Sequence, residues 1–136
     1  MRILCPIDDS EHSKLAVALA ARMARAFQAK LTILIVNSLL GGHGRVGAAP
    51  MWLGGELQKM LASAQADISL NGGPPAETDV IGRNEPADAI VEYAKANNCE
   101  HIVLGTGGRG TITRMVLGSV SSAVLVRAHC SVTIAR

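Results

Sequence analysis

Aromatic residues are nearly missing from this 136-residue chain, which has one Phe, one Tyr and one Trp. Since 49% of the chain is apolar all the same, the core has to be built from Ala, Val, Leu and Ile, which suits helices packed on a parallel sheet. Long hydrophobic runs are missing too. No stretch of about eighteen apolar residues is present to span a bilayer, and no apolar leader precedes the first strand-like run. The expected protein is therefore soluble and cytoplasmic, with no membrane partner. Cys5, Cys99 and Cys130 form no Cys-x-x-Cys pair and cannot all pair within one chain, which points to a reducing compartment. Cys5 and Cys130 lie in apolar runs and read as small core hydrophobes. His12, His43, His101 and His129 are scattered without metal-ligand spacing, so no dedicated metal site is expected. No Gly-Lys pair occurs, which excludes the P-loop.

Negative charge is missing from one region. The last acidic residue is Glu100, and residues 101–136 carry Arg109, Arg114, Arg127 and Arg136 with no carboxylate side chain. An anionic ligand favours that part of the chain. The formal net charge of +2 is too small to argue for a nucleic-acid partner.

What is present reads as one α/β domain over residues 1–136. Residues 2–7 form a short apolar run ended by Asp8-Asp9-Ser10, after which Leu15, Ala16, Leu19, Ala20, Met23, Ala24 and Phe27 recur at helical spacing. Ser10 is placed to cap that helix and Glu11 suits its positive first turn. Residues 31–36 are apolar but for Thr32, as in a strand buried on both faces. Residues 41–55 hold six glycines and Pro50 and read as a mobile loop; Leu53, Leu57, Met60, Leu61, Ala64 and Ile68 then mark a second helix. Residues 71–75 break it. A third strand is expected over 78–81, a third helix from Pro86 with Ile90, Val91 and Ala94 on one face, and a fourth strand over 101–104. Val120, Val124 and Leu125 mark a last helix and residues 131–135 a last strand. Five strands alternating with four helices imply a parallel sheet with right-handed crossovers and helices on both faces.

The strongest local signal is Gly105-Thr106-Gly107-Gly108-Arg109-Gly110 after the fourth strand, followed by Gly118-Ser119 opening the last helix. Glycines there allow positive φ and let backbone N–H groups approach phosphate oxygens. The unpaired N–H groups at the helix start, including that of Val120, make a second anion site. Ser119 adds a hydroxyl and Arg109 or Arg114 a charge. The competing reading is a tight turn and no more. The segment also fits the dinucleotide fingerprint, but no acidic residue follows it at the required distance.

The second candidate is Pro6-Ile7-Asp8-Asp9-Ser10, at the carboxyl end of the first strand. Ligands of open parallel sheets bind outside the carboxyl ends of strands where the winding reverses. If the first and fourth strands are neighbours there, Asp8 and Gly105 face one crevice, and Asp8 can accept a hydrogen bond from an adenine amino group or a ribose hydroxyl. Alternatively, Asp8 and Asp9 only make the turn. Gly82-x-Asn84-Glu85-Pro86 can bring backbone to the same crevice or be a plain loop and helix start. A phosphorylation receiver domain has the same alternation, but it needs an Asp after the third strand and a Lys after the fifth; Gly82-Arg83 and the terminal Arg136 stand there instead.

With these motifs the chain resembles single-domain universal stress proteins of the ATP-binding type over nearly its whole length. The resemblance rests on Pro6-x-Asp8-x-Ser10, Val36, Gly82-x-x-x-Pro86, and the spacing Gly105-x-x-Gly108, nine residues, Gly118-Ser119. Gly107 stands where many relatives carry His, and Ser131 where many carry Pro. The resemblance implies a Rossmann-like sheet of order 3-2-1-4-5, with Asp8 and the Val36 backbone on adenosine and the glycine loop and helix start on the phosphates. Mg²⁺ is expected to arrive with the nucleotide. The expected role is an ATP-binding stress-response protein with at most slow hydrolysis, since no residue is marked as a base for water. The alternatives are an ATPase or nucleotidyl-transfer enzyme, and an interaction module that binds no nucleotide. In the implied order the last strand is an edge, and the uncharged, β-branched residues 131–135 predict a homodimer joined through it.

Overall fold

The computed structural model describes residues 1–40, 49–107 and 117–136. Five strands, β1 (Arg2–Ile7), β2 (Lys30–Val36), β3 (Glu77–Ile81), β4 (His101–Gly105) and β5 (Ser131–Ala135), alternate with four helices, α1 (Glu11–Phe27), α2 (Gly54–Leu70), α3 (Pro86–Ala96) and α4 (Ser119–Arg127). All five strands are parallel and their order is 3-2-1-4-5. A two-residue antiparallel pair, Leu39–Leu40 with Ala49–Pro50, stands apart from this sheet. It and the first turn of α2 take up part of the expected loop over 41–55; residues 41–48 lie outside the described residues.

Alternation along the central strands divides the core in two. Ile3, Cys5, Ile7, Leu31, Ile33, Ile35 and Val103 pack with α1 and α2. Leu4, Leu34, Val36, Ile102 and Leu104 pack with α3 and α4, meeting Ala87, Ile90, Ala94 and Val124. Each face of β1 and β2 is covered, which is why those segments read as largely apolar runs rather than as alternating ones. Each buried Leu or Ile contributes about 1.5–3 kcal/mol.

The buried ridge of α1 differs from the expected one. Ser13, Ala16, Val17, Ala20, Ala21 and Ala24 are buried, while Leu15 and Phe27 are exposed. The cause is close approach. The backbone of Gly73 lies so near α1 that a Cβ there would fall 2.8 Å from that of Ala21, so only small side chains fit beneath the helix and the larger ones flank it. Leu125 of α4 and Leu53 before α2 are also exposed. Ser10 occupies the N-cap of α1, but its side chain makes no cap hydrogen bond; the hydroxyl turns back to Asp8 instead.

Candidate functional site

β1 and β4 are neighbours, yet α1 follows β1 onto one face and α4 follows β4 onto the other. Their carboxyl ends therefore diverge, and a cleft of about 350 Å³ opens between them. Of the residues expected at a ligand site, Pro6, Asp8, Ser10, Val36, Gly105, Gly118, Ser119 and Val120 line it. Gly82 is not in its lining, although Pro86 of the same segment is. Gly108, Arg109 and Gly110 lie outside the described residues, as does Arg114.

Asp8 organises the turn between β1 and α1. Its Oδ1 accepts from the Ser10 N–H at 2.9 Å, the Ser13 hydroxyl at 2.8 Å and the Ser10 hydroxyl. The Ser13 hydroxyl oxygen also accepts from the Asp8 N–H at 2.8 Å. One carboxylate oxygen is thus saturated by the chain, and Oδ2 receives none of these donors. The carboxylate is held in place before any ligand arrives, which lowers the ordering cost of binding. Sequence reasoning missed Ser13, whose signal is its place in the first turn of a helix that follows an aspartate.

Gly105 has a packing role that the sequence did not suggest. A Cβ on Gly105 would lie 2.7 Å from the His12 carbonyl oxygen, so glycine is required there by packing against α1. Gly118 has φ −65° and ψ 164° at the N-cap of α4, an extended conformation open to any residue. Thr106, between these two sites, ties the elements together. Its carbonyl accepts from the Ser121 hydroxyl at 2.7 Å and from the Gly118 N–H. Its hydroxyl lies 3.0 Å from His12 Nδ1. The end of β4 is thereby fastened to the starts of both α1 and α4.

Opposite the glycines the cleft is apolar, with Val36, Met51, Trp52 and Ile90 in its lining. Asn37 secures this side: its Oδ1 accepts from the Trp52 N–H at 3.0 Å and its Nδ2 donates to the Trp52 carbonyl at 3.0 Å. Asn37, Met51 and Trp52 were not legible as site residues, since a polar contact fifteen residues apart leaves no local pattern.

Among the described residues the cleft is lined by Asp8, Asp9 and His12 but by no Lys or Arg. Anion binding by these residues falls to backbone N–H groups and the hydroxyl of Ser119 at the α4 start. Cys5, in the same strand as Pro6, is no nucleophile, because complete burial pushes its thiol up to about 12. Among the described residues no three His, Cys, Asp or Glu side chains gather to hold a metal ion.

Comparison with known proteins agrees with this architecture. The sequence model of the Universal stress protein family matches residues 1–136. A universal stress protein of Thermus aquaticus is 32% identical over 142 residues, covering 98% of this chain and 97% of that protein. The solved structure of universal stress protein UspA from Lactobacillus plantarum aligns with a TM-score of 0.84 at 26% identity, covering 100% of this chain and 97% of that one. A universal stress protein in complex with cAMP aligns with a TM-score of 0.76 at 26% identity, covering 100% and 96%.

Proposed function

The chain belongs to the universal stress protein family, and from that premise we propose that it binds ATP in the cleft between β1 and β4 and acts in stress response or regulation through that binding. The observation that carries this reading is the pairing, in one cleft, of a pre-oriented carboxylate with a glycine-flanked helix start. Asp8 Oδ2 takes the adenine amino group or a ribose hydroxyl, and Pro6 and the Val36 backbone flank the nucleoside. The phosphates lie toward Gly105, Gly118, Ser119 and Val120, where unpaired N–H groups and the positive end of α4 favour an anion. Gly108, Arg109 and Gly110, which the sequence also assigns to the phosphates, lie outside the described residues. Mg²⁺ enters with the phosphates and needs no protein cage, because it keeps several of its waters. The relative solved with cAMP supports an adenine nucleotide as the ligand class.

The role proposed is binding rather than turnover, with at most slow hydrolysis, since the sequence marks no residue as a base for water.

We further propose a cytoplasmic homodimer joined through β5. Among the described residues that strand ends the sheet and pairs on one side only, with β4; such an edge invites a second strand. The described cysteines are all free, as in a reducing compartment.

Heat-denaturing the purified protein and examining the supernatant by mass spectrometry tests the nucleotide reading. Co-purified ATP is expected. Recovery of AMP or ADP alone would favour an ATPase, and failure to recover or rebind any adenine nucleotide would favour the interaction module.

A further inference from the structure

We propose that Asn37, which does not itself line the cleft, is the positioning residue for the cleft's apolar end, holding Met51 and Trp52 where the base of a purine nucleotide lies against them. This rests on the adenine-nucleotide reading above. Asn37 follows β2 directly, and its N–H donates to the Ile81 carbonyl at 2.8 Å, which carries the β2–β3 pairing one residue further and fixes its backbone to the sheet. From that anchored position its carboxamide meets both polar backbone groups of Trp52, each at 3.0 Å. One side-chain amide thus does what the peptide of a neighbouring strand would do. The Met51 N–H donates to the Ser38 carbonyl at 2.8 Å, and the Leu39–Leu40 and Ala49–Pro50 pair continues the same ribbon. Asn37 is the contact that ends the ribbon against the sheet.

The consequence falls on the base end of the ligand and not on its phosphates. Met51 and Trp52 line the cleft beside Val36, and Trp52 is only 5% exposed, so the wall it forms is part of the core and not a loose flap. An apolar wall recognises a flat ring by area and shape. Phosphate binding depends on the separate α4 start. Replacing Asn37 with an apolar residue removes the partner of two half-buried backbone groups and lets the wall shift, while the α4 start keeps its bonds to Thr106.

Asn37→Leu and Asn37→Asp, titrated calorimetrically with ATP and with tripolyphosphate, test this. The Leu variant is expected to bind ATP about tenfold more weakly, because a wall no longer held in place has to be ordered on binding, with tripolyphosphate binding unchanged. The Asp variant keeps the acceptor for the Trp52 N–H and is expected to lose less. Since Trp52 is the chain's only tryptophan, its emission reports the same wall and should move to the red in the Leu variant. Equal weakening of both ligands in either variant, or unchanged ATP affinity, overturns the role given to Asn37. A wild-type protein that binds no ATP overturns the nucleotide reading itself, which separates the two failures.

Discussion

Gly105 and His12 are in backbone contact: a Cβ added to Gly105 would stand 2.7 Å from the His12 carbonyl oxygen and 2.8 Å from its carbonyl carbon. The first turn of α1 therefore rests directly on the end of β4, and the Thr106 hydroxyl, one residue on, meets His12 Nδ1.

Gly105→Ala is expected to destabilise the fold by about 1–3 kcal/mol, the usual cost of forcing extra volume against atoms that cannot give way. Urea denaturation measures it. Gly118→Val should separate from it, because an extended N-cap tolerates a side chain. The cost there is about 1 kcal/mol for losing a favourable cap residue, together with loss of ATP binding. Unchanged stability in Gly105→Ala, or unchanged ATP affinity in a folded Gly118→Val, would contradict the roles given to the two glycines.

Stability should fall with acid through His101. Burial lowers its pKa, and its Nε2 lies 2.7 Å from the Thr133 hydroxyl on β5. A lowered pKa means that the unfolded chain takes up the proton first, so stability is full above the ordinary histidine range and is lost as the pH drops through it. Between about pH 7.5 and about pH 5.5 the urea midpoint of the wild type should therefore fall further than that of His101→Gln. Parallel falls would show that His101 carries none of the dependence.

The exposed edge of β5 leads to a prediction about assembly. Val132 and Ile134 are half-buried in the single chain, and antiparallel pairing of two copies would cover them and satisfy the free backbone groups. Light scattering should give twice the chain mass for the wild type, and Val132→Lys with Ile134→Lys should bring it toward one. A monomeric wild type, or a double variant that stays dimeric, excludes this interface.

The parts of this architecture that rest on burial were legible in the residues. Strands such as residues 31–36 are apolar but for Thr32 because helices cover both faces, and Asp8 and Gly105 could be placed on one crevice because each ends a strand. The helix face of α1 was legible in part, since Ala16, Ala20 and Ala24 are buried as their spacing suggests. Leu15 and Phe27 have the right spacing but are 50% and 56% exposed, since the close approach at Gly73 and Gly105 selects for size and not for hydrophobicity. The packing of Gly105 against His12, ninety-three positions away, was not legible either, because its neighbour in space leaves no local pattern. The Asn37–Trp52 contact and the donors around Asp8 Oδ1 depend on side-chain geometry that no periodicity encodes.

Where the nucleotide sits can be read residue by residue from amide chemical shifts while ATP is titrated into isotopically labelled protein. Saturable shifts are expected at Asp8, at the end of β2 near Val36, at Gly105 and at residues 118–120, with Trp52 responding on the opposite wall. An adjoining depression of about 210 Å³ between α1 and α2 shares Asp8, Asp9 and Ser13 with the cleft but has Lys14, Lys59 and Asp67 in its own lining, and it offers the contrasting location. Shifts at Lys14, Lys59 and Asp67 with none at Gly105 and residues 118–120, or no saturable shift at all, would contradict the placement of ATP in the cleft between β1 and β4.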